Sequence, residues 1–214
     1  MADAPNGCRG PTTAGVQPVD HLGLARGKYL PWRIADRGTG LCVGTWLLNY
    51  QREILEVDPA HQPTLDALEA MIDEDVEALA AALVLDPIYR SMGEAAKLVR
   101  VLEVQVSAEQ DPVATVDLLH HIADLHENHL DAPAAAFEAY GRSVAGDPLN
   151  ESTLGHLERL AHEVDSGFAR VVALYDAELN KLREDAPGDF VDLALRTAQI
   201  YELHLEQAEP AIER

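Results

Sequence analysis

Residues 117–138 read DLLHHIADLHENHLDAPAAAFE, and residues 192–213 read DLALRTAQIYELHLEQAEPAIE. The two stretches are identical at eight positions, without a gap, at a constant offset of 75. A shorter pattern also recurs, because Asp58-Pro59 and Asp147-Pro148 are each followed at the same distances by a Thr-Leu pair and a Leu-Glu pair. Internal repeats of this length are typical of stacked arrays of similar units. The repeats therefore predict how the molecule is built, and they leave its partner open.

Composition and periodicity both favour helices. The chain has 214 residues, of which 47% are hydrophobic and 5% aromatic. That supply of apolar side chains suffices for one sizeable core or one continuous solenoid core, and a chain dominated by alanine and leucine favours helix over sheet. Apolar residues recur at helical spacing along Ala95, Leu98, Val99, Leu102 and Val106, and no segment alternates with period two for long. The sequence therefore predicts an all-α protein.

Short breaks divide the apolar stripes into ten predicted helices. The connections are only a few residues long, so neighbouring helices are expected to run antiparallel. The predicted helices cover 46–57, 60–72, 75–91, 94–108, 112–130, 133–146, 150–164, 167–184, 189–206 and the chain from 208 onward.

Asp-Pro pairs stand at several of these breaks. An aspartate accepts a hydrogen bond from a free amide of the first helical turn, and a proline lacks the amide that would have no partner there. Asp58-Pro59, Asp111-Pro112 and Asp147-Pro148 are therefore predicted to begin helices. Asp86-Pro87 lies inside a helical pattern, so either a helix begins there or a helix is kinked there.

Residues 1–44 differ in composition from the rest of the chain. They hold eight of the fourteen glycines and no glutamate. Their charge is +2, whereas the remaining 170 residues carry −23, which together give the net charge of −21. Glycine and proline without a period cannot propagate a helix. We therefore predict a mostly disordered leader over 1–44 and a helical array over 45–214. The leader is either a functional tether or a segment that does not belong to the native protein.

The net charge of −21 argues against a nucleic-acid or anionic membrane partner, because both are repelled by a strongly acidic chain. The same charge also has a simpler interpretation as solvated helix faces, which we prefer. Cys8 and Cys42 have neither CxxC spacing nor metal-ligand neighbours, so no disulfide framework or zinc site is predicted. No secretory signal or membrane-spanning run is visible, which favours a cytoplasmic location.

The stretch from Ile122 to Pro148 resembles a tetratricopeptide repeat (TPR). In that family small residues and aromatics alternate on the facing sides of two helices, and a proline closes the unit. The family's glycine is an alanine here, and one extra residue separates the helices. The resemblance covers about residues 46–214 and extends to the degenerate long arrays of some large bacterial proteins. It implies a right-handed superhelix of hairpins with a concave binding surface and no catalytic residues. The repeat-packing roles fall to Ala123, His126, Ala136, Tyr140 and Pro148, and in the next copy to Ala198, Tyr201 and Ala211.

Four histidines, His120, His121, His126 and His129, lie on one predicted helix. Histidines at such spacing can share a metal, but the run from His126 to His129 is one residue shorter than HExxH. His126 matches Tyr201 and His129 matches His204 in the repeat, so a packing role is favoured over a metal site. We predict no catalytic, cofactor or metal residues.

The leading hypothesis is an interaction scaffold that binds a protein or peptide, with basic character favoured by the acidic face. One alternative is a purely structural spacer in a larger repeat protein. A second is a metal-binding or enzymatic site on the His120–His129 helix. The last copy ends soon after Ala211, so we expect an array that is incomplete at its C-terminus, either a fragment or a chain that associates through an uncapped end.

Overall fold

The computed structural model describes residues 40–205, with side chains from residue 48 onward except at positions 184 and 185. All regular structure in this part of the chain is α-helix, which confirms the predicted all-α fold. The helices are α1 (Gly40–Val57), α2 (Gln62–Asp73), α3 (Ala78–Met92), α4 (Ala95–Ala108), α5 (Pro112–Asn128), α6 (Pro133–Ser143), α7 (Glu151–Leu160), α8 (Gly167–Asp185) and α9 (Pro187–His204).

These helices lie where the sequence predicts them, and the differences are at their ends. Helix α1 begins at Gly40, before the predicted start at residue 46. Helix α6 ends at Ser143, because the next bond is a three-residue turn in which the Gly146 amide donates to the Ser143 carbonyl at 3.1 Å. Most of the predicted leader and the predicted helix from residue 208 lie outside the described residues, so both stay predictions.

At two of the three predicted Asp-Pro helix starts, the residue at the N-cap is not the aspartate but the residue three positions later, His61 or Asn150. The Asp58 carbonyl accepts from the His61 amide at 3.1 Å, and the Asp147 carbonyl accepts from the Asn150 amide at 3.3 Å. Each pair therefore forms a turn, and the helix begins after residue 61 or 150. At the second start, the Asn150 side chain accepts from the Thr153 amide at 3.1 Å and caps α7. In both places the aspartate of the Asp-Pro pair stands three residues before the N-cap and is not the cap itself.

The other two Asp-Pro pairs resolve as follows. Asp111 caps α5, because its side chain accepts from the Val113 amide at 3.1 Å and Pro112 is the first helical residue. Pro87 lies inside α3, so that pair does not begin a helix. The Asp86 carboxylate instead bonds Arg90 one turn later at 2.9 Å, and it accepts from Gln105 of α4 at 2.9 Å.

The chain divides into two compact units, one reaching to Ala81 and one beginning at Ala82. In the first, α1 packs on α2. In the second, each helix from α4 to α9 packs on the next helix in sequence. The apolar stripes of these helices supply the core, in which the largest fully buried side chains include Phe137, Leu157 and Tyr175.

From α4 to α9, arginine–glutamate ion pairs join helices that are two places apart in sequence. Four such pairs alternate between the even-numbered and the odd-numbered helices. They are Arg142–Glu103 (α6 to α4, 2.7 Å), Arg159–Glu127 (α7 to α5, 2.7 Å), Arg170–Glu138 (α8 to α6) and Arg196–Glu158 (α9 to α7, 2.6 Å). Since each helix touches both its neighbour and the next but one, α4, α6 and α8 form one layer and α5, α7 and α9 form the other. This is the hairpin stacking of a TPR-like α-solenoid; its right-handed sense stays a prediction.

One glycine is required where α7 meets α8. A Cβ added to Gly167 would lie 2.3 Å from the Ala161 carbonyl oxygen and 2.5 Å from the Ala161 Cα. These are backbone atoms that cannot rotate away. The close approach lets the chain turn directly from α7 into α8.

Candidate functional site: a groove in the odd-helix layer

A groove of about 320 Å³ lies between α7 and α9, on the odd-helix layer of the second unit. Its walls combine leucines and isoleucine with carboxylates and one arginine. The lining residues are Leu149, Glu151, Leu154, Glu158, Asp192, Leu193, Leu195, Arg196, Gln199, Ile200, Leu203 and His204. Leu154, Leu193 and Ile200 are buried, whereas Leu195 and Leu203 are exposed. The groove therefore has an apolar floor and an apolar rim that solvent can reach.

Arg196 crosses from α9 to α7 and ties the two walls of the groove together. Its Nε donates to Glu158 at 2.6 Å and its Nη1 donates to Glu151 at 2.8 Å. The Glu158 hydrogen bonds raise the pKa of Arg196 above its usual range, so the guanidinium is a fixed positive charge. The Tyr175 hydroxyl of α8 lies 3.5 Å from the same Glu158 carboxylate, and burial raises the pKa of this tyrosine. The wall is thus a preorganised network that needs no partner to form.

The groove has an excess of negative charge. Arg196 faces two carboxylates, and Asp192 adds a third. The Glu151 side chain is 84% exposed although it contacts the arginine, so its carboxylate remains open to solvent. An apolar floor with carboxylates at its mouth suits a partner segment that carries apolar side chains beside a lysine or arginine.

His120 and His121 of α5 contact side chains of two different helices. His120 Nε2 lies 2.7 Å from Thr153 Oγ1 of α7, and burial lowers the pKa of His120, with a smaller contribution from His156. His121 Nε2 lies 3.2 Å from Arg90 of α3, and burial and then Arg90 lower its pKa. Within residues 40–205 no three His, Cys, Asp or Glu side chains converge closely enough to hold a metal ion.

The remaining two histidines, His126 within α5 and His129 at its C-cap, differ in burial. His126 is half-buried; its Nδ1 has no hydrogen-bond partner among the described residues, and burial lowers its pKa. His129 is exposed. The residue that matches His126 in the next copy, Tyr201, is likewise half-buried. This common burial supports a packing role for the position.

The predicted repeat-packing residues lie in the second unit. Ala123 of α5 and Ala136 of α6 are both 0% exposed, on helices that pack against each other. Tyr140 is 4% exposed, whereas Ala198 and Pro148 are half-buried, the latter in the turn before α7. Ala211 lies outside the described residues. The repeat-packing role of this set, Ala123, His126, Ala136, Tyr140, Pro148, Ala198, Tyr201 and Ala211, stays a proposal.

Sequence reasoning missed the contacts that cross from one repeat to the next. Two of the four ion pairs have the same spacing, since Glu127–Arg159 and Glu138–Arg170 are each 32 residues apart. This repeated separation between a glutamate and an arginine is visible in the sequence and could have indicated the contacts. The groove was also missed, because Glu151 and Arg196 lie 45 residues apart and share no motif.

No protein-family model matches the chain, and no curated protein matches it. A similar solved structure is the crystal structure of nearly identical TPR-like repeats from a Podosopora anserina protein described as a kinesin light chain. The two are 15% identical, over 78% of this chain and 92% of that chain, with a TM-score of 0.35. The packing described above defines the class of this chain, which is an all-α, TPR-like helical repeat protein. None of its described helices is long and apolar enough to cross a bilayer.

Proposed function

We propose that this chain is a non-enzymatic interaction scaffold that holds a segment of a partner protein in the groove between α7 and α9. The observation that carries the proposal is the groove itself, an apolar floor beside a preformed Arg196–Glu158–Glu151 network. Helical repeat arrays bind partners through extended surfaces of this kind. The proposal assigns no catalytic residue, cofactor or metal.

The partner is expected to be basic and to contain apolar residues. Exposed Glu151 and Asp192 attract lysine or arginine, and exposed Leu195 and Leu203 receive apolar side chains. The net charge of −21 opposes a nucleic-acid partner. A purely structural spacer role remains the alternative, and it predicts that the groove binds nothing.

Binding of matched peptides to the full chain tests this function. Amphipathic peptides of equal apolar content, with either lysine or glutamate flanks, are screened on an array, and the strongest are measured by fluorescence anisotropy. Lysine-flanked peptides should bind, and Glu151→Lys should weaken them about tenfold, an effect that added salt reduces. Glu53→Lys, at an exposed glutamate of α1, is the matched control. Equal binding of both peptide classes, or an unchanged affinity in Glu151→Lys, would refute the proposal, and no binding at all would favour the spacer.

A further inference from the structure

One face of α9 is exposed where the matching face of α5 is covered. Val191 is 51% exposed and Leu195 is 61% exposed, and Glu202 lies on the same face, since the three stand four and seven residues apart. Among the described residues Glu202 has no hydrogen bond or ion pair. At the repeat offset of 75, these positions correspond to Val116, His120 and Glu127 of α5.

The corresponding face of α5 is covered by the turn after α6 and by α7. Val116 is 5% exposed, and a Cβ added to Gly146 would lie 2.8 Å from its Cγ2. His120 Nε2 lies 2.7 Å from Thr153 Oγ1. Glu127 lies 2.7 Å from Arg159. Helix α7 thus meets α5 through two side chains that stand six residues apart, Thr153 and Arg159.

The repeat therefore indicates what fits on α9. Leu195 replaces His120, so the residue opposite it is apolar, and Glu202 keeps the carboxylate of Glu127, so an arginine opposes it. We propose that the face formed by Val191, Leu195 and Glu202 binds a helix of a partner protein, with an apolar residue and, six residues later, an arginine. Val191 and Glu202 do not line the groove, and Leu195 stands at the border between the groove and this face, whereas Arg196 bonds back to α7.

A second copy of this chain fits the face poorly. Two chains of net charge −21 repel each other. The segment that carries the required spacing, from Thr153 to Arg159, is already packed within its own fold, where Thr153, Leu157 and Leu160 are 0% exposed. A partner helix of basic character meets neither obstacle.

The test uses the full chain and a labelled peptide with the sequence of residues 150–164 carrying Thr153→Leu, in which lysine replaces Glu151, Glu158 and Glu163 so that the probe has the basic character proposed for the partner. A second peptide carries Arg159→Glu in addition. Fluorescence anisotropy should show that the first peptide binds the wild-type chain and that Glu202→Arg lowers this affinity about tenfold. The second peptide should bind the Glu202→Arg chain better than it binds wild type. Leu195→Glu should also weaken the first peptide. Leu83→Glu, at a leucine of α3 that is 57% exposed, and Glu53→Arg are matched controls that should bind as wild type does.

Several results would overturn the proposal. One is that the first peptide does not bind at about 1 mM. Another is that Glu202→Arg and Leu195→Glu leave the affinity for this peptide unchanged. Sedimentation of the chain as a dimer that Leu195→Glu dissociates would assign the face to a second copy. Nuclear Overhauser contacts from Leu195 to residues 206–214 would assign it to the chain itself. Glu151→Lys separates the two surfaces, because it should weaken groove ligands and leave this peptide unaffected.

Discussion

Tyr140 of α6 stacks face to face on His156 of α7, with ring planes 2° apart and ring centroids 4.6 Å apart. His120 of α5 meets the same tyrosine ring edge-on at 5.4 Å. A single ring, 4% exposed, therefore joins three successive helices and links one repeat to the next.

Removing the Tyr140 ring should cost more stability than removing the imidazole that stacks on it. Tyr140→Ala leaves a cavity among three helices and should lower the free energy of unfolding by about 3–5 kcal/mol. His156→Ala removes one ring pair, at a cost of about 0.5–1.5 kcal/mol. Tyr140→Phe keeps the ring and serves as the control. Urea denaturation gives the comparison, and equal losses in the two alanine variants would show that the ring is not a shared contact.

Gly167 should not tolerate a methyl group, whereas Gly155 should accept one. Gly167→Ala forces a Cβ against Ala161 backbone atoms and should lower the free energy of unfolding by about 1–3 kcal/mol. Gly155 lies within α7 with nothing near its added Cβ, so Gly155→Ala should raise that free energy by about 0.5–1 kcal/mol. Thermal denaturation of both variants checks the pair. A neutral Gly167→Ala would rule out the close approach of α7 and α8.

Ala136 should resist enlargement because it is fully buried between packed helices. Ala136→Leu should lower the free energy of unfolding by about 1–3 kcal/mol through overpacking. Ala134→Leu, two residues earlier at an exposed position, is the control and should change little. The measurement is the melting temperature by circular dichroism. If both variants have the melting temperature of wild type, the repeat alignment of Ala136 with Ala211 loses its support.

Stability should fall as the pH drops through the ordinary histidine pKa. Burial lowers the pKa of His120, so the unfolded chain takes up a proton near pH 6.5 that the folded chain resists. The unfolded state then binds more protons, and the free energy of unfolding decreases from that pH down to the lower folded pKa. His120→Gln should flatten this dependence between about pH 7.5 and about pH 5.5. If His120→Gln keeps the wild-type slope, burial of His120 is not the cause of that slope.

The histidines of α5 should not hold a stoichiometric transition metal. His120 and His121 contact different helices, and the run from His126 to His129 is one residue shorter than HExxH. Isothermal titration with zinc should show no stoichiometric uptake. Micromolar zinc binding that His126→Ala and His129→Ala together abolish would overturn this prediction.

The helices could be predicted because local rules determine them. The apolar stripe of Leu98 and Leu102 requires a helix, and Asp111-Pro112 fixes a helix start through its own side chain. The starts at Asp58 and Asp147 were misplaced, because the sequence does not distinguish an Asp-Pro pair that forms a turn from one that caps a helix. The difference lies in which amide donates to the aspartate carbonyl. Helix ends such as Ser143 depend on the same bonds.

The candidate site could not be predicted, because it depends on which helices become neighbours. Arg196 meets Glu158 across 38 residues of chain, and neither residue belongs to a recognisable motif. In the sequence, the exposed Leu195 cannot be distinguished from the other apolar residues of an amphipathic helix. Only its comparison with half-buried His120, at the same place in the repeat, identifies it as a surface feature.

The pairing of each helix with the next and the next but one also has a consequence for how the second unit forms. None of the described helix pairings there joins segments that are far apart in sequence, so the entropy cost of loop closure is small at every step. A nascent chain leaving the ribosome could complete α4 to α6 before α9 is made, with Arg142 and Glu103 already joined. The order of synthesis would then also be the order of assembly, with α9 added after the other described helices.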